Sequence, residues 1–84
     1  ITRHSLRVEI NFSKSARKHK IGKERAKFVM KTSQARITWI GEREEWHWVG
    51  KDNRGLDLEI MAIREGSNLT VIHVMPRGFR RKLN

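Results

Sequence analysis

The first stretch of the chain combines one alternating segment with one that is weakly helical. Residues 6–12 alternate apolar and polar side chains, a period of two that predicts a half-buried strand. Ser13 can cap a short helix that continues to about Lys20, with Ala16 as its one clear core residue. An extended loop fits the same segment, because so little of it is apolar.

A second helix is predicted from about residue 23 to residue 32. Gly22 separates it from the preceding segment. Ala26, Val29 and Met30 stand at positions i, i+3 and i+4, which share one face of a helix. The spacing indicates an amphipathic helix with that face turned toward a core.

From Ala35 onward the apolar residues recur with a period of two, which predicts strands at 37–40, 46–49, 56–63 and 69–75. Residues 51–55 and 65–68 carry the Asp, Asn, Gly and Ser that favour tight turns, so neighbouring strands should form antiparallel hairpins. The predicted fold is α+β: one strand, two N-terminal helices, then a three- to four-strand antiparallel meander with the helices packed on one face. Residues 1–84 form one domain.

Charge is distributed unevenly along the 84 residues. The chain has a formal net charge of +10, and its first 31 residues hold ten basic and only two acidic side chains. This pattern favours a polyanionic partner such as a nucleic acid, although a solvated helix face or an acidic protein partner would also explain it. The candidate RNA-binding residues are Lys14, Arg17, Lys18, Lys20, Lys23 and Lys27.

The composition argues against several kinds of site and against a membrane span. The chain has no cysteine, which excludes disulfides and thiolate metal sites, and its histidines lack metal-ligand spacing. No apolar run approaches 18 residues, so no membrane span is predicted. We therefore expect a cytoplasmic protein that uses no metal and no cofactor.

Three features could carry chemistry. Pro76 ends the last strand, and the arginines after it (Arg77, Arg80 and Arg81) could grip a phosphate, or belong to a frayed terminus. His73 should share the side of Val71 and Met75; such a histidine is more often a core residue than a catalyst. The acidic run 42–45 could supply a general base, and is more often a solvated loop.

Several short motifs occur in a suggestive order. They are Phe12–Ile21, Glu24–Met30, Glu44–Trp46 followed by Gly50, Arg54–Gly55, and Val71–Pro76 with the basic residues after it. This order resembles the BrnT-like toxins of bacterial toxin–antitoxin operons, which belong to the wider RelE/ParE-like group. The resemblance covers residues 6–82.

The resemblance implies a metal-independent ribonuclease that inhibits translation, acts on RNA on or off the ribosome, and is neutralised by an antitoxin encoded beside it. Glu44, Arg54 and a closing basic residue (Arg77, Arg80 or Arg81) stand nearest to family positions of interest. In the chemical route that we expect for such a ribonuclease, Glu44 or His73 acts as the base. The chain departs from the family at Glu45 and Met75, where BrnT-like sequences tend to carry arginines.

Two other classes remain open from the sequence. The charge alone would suffice for a non-catalytic RNA- or ribosome-binding module, or for a domain that docks an acidic protein. Formation of an RNA cleavage product would distinguish the ribonuclease from both of these non-catalytic classes.

Overall fold

The computed structural model describes residues 9–17 and 20–77. Its elements, in chain order, are strand β1 (Glu9–Phe12), a 3₁₀ turn (Ser15–Arg17), helix α1 (Lys23–Thr32) and strands β2 (Arg36–Ile40), β3 (Arg43–Lys51), β4 (Asp57–Glu65) and β5 (Asn68–Pro76). The strands form one sheet in the order β1-β5-β4-β3-β2. The sheet is mixed, because β1 runs parallel to β5 while the other neighbours are antiparallel.

The predicted fold, with two N-terminal helices and a sheet of three or four strands, is wrong. Within residues 9–17 and 20–77 there is one α-helix and a five-stranded mixed sheet. The antiparallel hairpins from β2 to β5 are confirmed, since their turn signals are local. The fifth strand comes from β1, which crosses over to pair with β5, a long-range contact that no local pattern reports.

The first predicted helix is a single 3₁₀ turn. Its Ser13 cap does form, with the hydroxyl accepting a hydrogen bond from Ala16 N at 3.3 Å, and Ala16 is buried. Lys20 then adopts a left-handed backbone with φ 58°, which cannot continue a right-handed helix. One buried residue does not offset the cost of nucleating a longer helix. The predicted residues Lys18 and 6–8 lie outside the described residues.

Helix α1 is confirmed at residues 23–32 and packs across β3 and β4. Ala26 and Val29, on the face of the helix that contacts the sheet, are fully buried. At its C-terminal end Ser33 donates from its backbone N at 2.9 Å and from its hydroxyl at 2.7 Å to the carbonyl oxygen of Val29. The helix crosses β3 at Gly50, where a Cβ atom would overlap the Ser33 hydroxyl.

The two faces of the sheet differ in what lies against them. We call the face beneath α1 and the 3₁₀ turn the covered face. Its buried side chains are Trp48, Leu58, Ile60, Ala62, Leu69, Val71 and Val74, and they form the core together with Ala16, Ile21, Ala26 and Val29. Side chains at the alternate positions of β3 and β4 project from the other side, which we call the open face. No helix in the described part of the chain packs on the open face.

Candidate active site

A cleft of about 900 Å³ lies on the open face. Its lining comes from β2, β3, β4 and the end of β5: Gln34, Arg36, Thr38, Trp39, Ile40, Glu45, His47, Val49, Glu59 and Arg77. Two carboxylates, an imidazole and two guanidinium groups therefore share one concave surface.

Glu45 is the buried charge of this cleft. Only 6% of the residue is exposed, and its carboxylate contacts Arg43 Nη2 at 3.1 Å and His47 Nε2 at 3.5 Å. A buried carboxylate needs such partners, because desolvation disfavours an isolated charge. Glu45 thus places a carboxylate beside the imidazole of His47, at ion-pair distance but without a hydrogen bond between them.

His47 has a cationic neighbour on the next strand. Arg36 of β2 lies directly opposite it in the antiparallel ladder, and facing residues place their Cβ atoms about 5 Å apart. The His47 side chain is 35% exposed, so solvent or a ligand can reach it. A phosphate bound here would meet an imidazole and a guanidinium group together.

A smaller pocket of about 370 Å³ adjoins the cleft and brings in His73. His47 and Glu59 line both pockets, and His73 stands across Met61 from His47 in the ladder. Two strand spacings of about 4.8 Å put the backbones of the two histidines about 10 Å apart. The Met61 side chain projects from the same face between them, so a substrate that contacts both histidines would lie over Met61.

A bulge in β5 turns His73 toward the open face. The pairing shifts between Met61 and Ala62, so His73 faces Met61 while Val71 faces Ala62, and Ile72 is the extra residue. The 3₁₀ turn holds the bulge, since the Ser15 hydroxyl donates to the Ile72 carbonyl oxygen at 3.0 Å. The prediction that His73 shares the side of Val71 is therefore wrong.

The predicted catalytic residues occupy three different places. Arg77 lines the open-face cleft and His73 the adjoining pocket. Glu44 instead shares the parity of Trp46 on the covered face, where it accepts a hydrogen bond from Trp46 Nε1 at 2.8 Å and lies 3.6 Å from Arg64 Nη1. Arg54 sits exposed in the β3–β4 turn, outside the cleft lining. Arg80 and Arg81 lie outside the described residues.

The predicted RNA-binding lysines and arginine belong to the other side of the molecule. Lys14, Arg17, Lys20, Lys23 and Lys27 are on or beside the 3₁₀ turn and α1, the elements that pack on the covered face. The Lys23 ammonium lies 5.8 Å from the centre of the Phe12 ring, a cation–π contact. The structure does not bring this basic set into the cleft.

Sequence reasoning missed Glu59 and Arg36, considered Glu45 only as one member of the acidic run 42–45, and interpreted His47 as an exposed side chain. A signal was present in the parity of β3, where Glu45 and His47 are two positions apart and so project from the same face. Their alignment with Arg36 depends on the β2–β3 register, which the alternation of apolar residues does not specify.

The carboxylate of Asp52 has a clearly shifted pKa, and this residue stabilises the fold and lies outside the cleft lining. Burial opposes ionisation of Asp52, but hydrogen bonds from Leu56 N, the Arg25 side chain and Arg54 N, with the charge of Arg25, outweigh it and hold the pKa of Asp52 below its ordinary 3.8. The Arg25 Nε atom lies 2.7 Å from Asp52 Oδ2. This ion pair fastens α1 to the β3–β4 turn.

Comparison of the chain with protein-family models, curated proteins and solved structures gives no match. Among residues 9–17 and 20–77, no helix is long and apolar enough to cross a membrane. The same residues contain no group of three or more His, Cys, Asp or Glu side chains that could hold a metal ion.

Proposed function

We propose that this protein is a metal-independent endoribonuclease whose active site is the open-face cleft. The observation that carries the proposal is the meeting of His47, Glu45, Arg36 and Arg77 on one concave surface, with His73 in the adjoining pocket. General acid–base groups beside arginines suit cleavage of a phosphodiester, whose transition state adds negative charge at phosphorus.

The proposed reaction uses the 2′-hydroxyl of the RNA as its nucleophile. His47, beside Glu45, takes the hydroxyl proton as the 2′-oxygen bonds to phosphorus and the bond to the 5′-oxygen breaks. His73 supplies a proton to that departing oxygen. Arg36 and Arg77 stabilise the charge on the phosphoryl oxygens. The products are a 2′,3′-cyclic phosphate and a free 5′-hydroxyl, and because the nucleophile belongs to the substrate, no bound water has to be activated.

We further propose that the ribonuclease is the toxin of a type II toxin–antitoxin system, located in the cytoplasm and neutralised by an antitoxin encoded beside it. The support is the resemblance of residues 6–82 to BrnT-like toxins, together with the formal charge of +10, which suits both RNA and an acidic partner.

The decisive experiment incubates the purified chain, freed of any partner, with a labelled RNA in EDTA. We expect fragments that end in 2′,3′-cyclic phosphate, and we expect His47→Ala to lower the cleavage rate by about 10²- to 10⁴-fold, the usual contribution of a general base. A melting curve shows that the variant is folded. Intact RNA, both free and on ribosomes, would overturn the proposal.

A non-catalytic RNA-binding module is the second candidate, because the basic set on α1 and the 3₁₀ turn is separated from the cleft. Under this reading RNA binds without cleavage. Lys20→Ala and Lys23→Ala should then weaken binding and reduce its salt dependence by about one unit of slope each, while His47→Ala leaves binding unchanged.

A further inference from the structure

Strand β2 is an edge strand with little protection. Within the described residues it pairs only with β3, and all five of its residues are exposed. Ile37, Trp39 and Ile40 leave 45%, 64% and 61% of their surface in solvent. The outer backbone groups of such a strand are a template for another strand, and natural proteins usually guard them with charges or proline.

The opposite edge of the sheet is built differently. Strand β1 has four residues, and its exposed positions are Glu9 and Asn11. Strand β2 has one charge, Arg36, at one end, followed by four uncharged residues of which three are large and apolar. Of the six large apolar side chains that are exposed in the described residues, three lie in β2, including the two most exposed, Trp39 and Ile40. A cluster of exposed apolar surface of this kind marks an interaction site.

The residues of β2 are self-complementary in the antiparallel direction. When two copies pair with Thr38 opposite Thr38, Ile37 of each faces Trp39 of the other, and Arg36 faces Ile40. Aromatic and β-branched residues are favourable cross-strand partners. The two Arg36 positions are four residues out of register, about 14 Å apart, which is longer than the Debye length of about 8 Å at physiological salt.

We propose that a second copy of this chain is the partner of β2, giving a two-fold dimer with a continuous ten-stranded sheet centred on Thr38. This inference does not depend on the proposed ribonuclease activity. Because Arg36, Thr38 and Ile40 line the open-face cleft, the dimer joins two clefts side by side, each bordered by the other copy's Ile40 and Arg36.

Salt should strengthen the dimer. Each copy carries a formal charge of +10, so mutual repulsion opposes association at low ionic strength and is screened at high ionic strength. Binding of RNA has the opposite salt dependence. The interface is small, so the test uses sedimentation equilibrium over a series reaching about 0.5 mM protein, at about 0.05 M and about 0.5 M salt.

We expect a monomer–dimer equilibrium that shifts toward dimer at the higher salt. Thr38→Lys places two ammonium groups face to face at the two-fold axis and should weaken dimerisation at least about ten-fold. Asn11→Lys adds the same charge at the β1 edge and should leave dimerisation within about two-fold of the unmodified chain. A chain that stays monomeric throughout, or a dimer lost in Asn11→Lys and kept in Thr38→Lys, would overturn the proposal.

A cysteine variant tests the register directly, since the natural chain has no cysteine. Under mild oxidation Thr38→Cys should form a disulfide-linked dimer that Asn11→Cys does not form. Circular dichroism and a melting curve establish that each variant is folded. Equal cross-linking of both variants would mean random collision and contradict the proposed pairing. Protection from exchange, in a monomer, of the β2 amides that point away from β3 would also contradict it, because it would mean that the edge is covered within one chain.

Discussion

The covered and open faces of the sheet are made by the same strands and serve different purposes. In β4, Leu58 and Ile60 point into the core while Glu59 and Met61 project from the other side. The covered face is largely apolar and packs against α1 and the 3₁₀ turn. The open face carries Glu45 and His47 in a cleft. A single ten-residue helix can shield only one face, so the second face meets solvent, and the ionisable side chains of the cleft lie there.

A core substitution gives the largest expected contrast between the faces. Leu58 is fully buried on the covered face, and Leu58→Ala should lower the free energy of unfolding by about 3 kcal/mol through lost burial and a cavity. Ile63 lies half-buried in the same strand on the open face, and Ile63→Ala should cost about 1 kcal/mol. Urea denaturation measures both; equal costs would mean that the open face also contributes a filled core.

Two adjacent glutamates test which face carries the chemistry. If the open-face cleft is the active site, Glu45→Gln removes the negative charge beside His47 and should lower RNA cleavage about 10²-fold. Glu44→Gln, on the covered face, should leave the rate within about three-fold. Melting curves exclude unfolding as the cause. A loss of activity in Glu44→Gln alone would instead favour the site implied by the BrnT-like resemblance.

The Arg25–Asp52 ion pair, which fastens α1 to the β3–β4 turn, predicts that the free energy of unfolding depends on pH. Asp52→Asn removes the charge that Arg25 and two backbone amides stabilise, and should cost about 2 kcal/mol near neutral pH. Because the folded-state pKa of Asp52 is lowered, its contribution is present above the unfolded value of 3.8 and is lost as pH falls through the folded value. Denaturation at pH 7 and at about pH 3 should therefore show that the free energies of unfolding of the unmodified chain and of Asp52→Asn lie closer together in acid. A difference that is the same at both pH values would contradict this account.

The smallest predicted effect concerns the approach of α1 to the sheet. A Cβ at Gly50 would overlap the Ser33 hydroxyl and lie 3.3 Å from Ser33 Cβ, so Gly50→Ala should cost about 1–2 kcal/mol as that hydroxyl leaves the Val29 carbonyl oxygen. Gly22→Ala meets nothing within 4 Å and should change stability by less than about 0.5 kcal/mol. Thermal unfolding of the pair checks the contrast.

Much of the secondary structure could be read from local pattern. Helix 23–32 was predicted with its observed ends, and the turns at 51–55 and 65–68 correctly separate β3, β4 and β5. The helix predicted at 13–20 is wrong although Ser13 does cap a turn. The left-handed backbone of Lys20 prevents that turn from continuing as a helix. A cap is a local signal; the length of a helix depends on the apolar surface it buries.

The site was much harder to predict. Sequence reasoning selected Arg77 and His73, which reach the open face, and Glu44 and Arg54, which do not reach the cleft. The difference lies in register: one position separates Glu44 on the covered face from Glu45 on the open face.

The sequence by itself determined where the hairpins turn, that residues 23–32 form a helix, and that the protein is strongly basic, because each depends on neighbouring residues or on composition. Only the tertiary structure decided that β1 joins β5 in parallel, that a bulge at Ile72 turns His73 outward, and that Arg36, Glu45, His47 and Arg77 meet. These features rest on contacts between residues distant in the chain, whose loop-closure entropy is offset only when the whole covered face is buried.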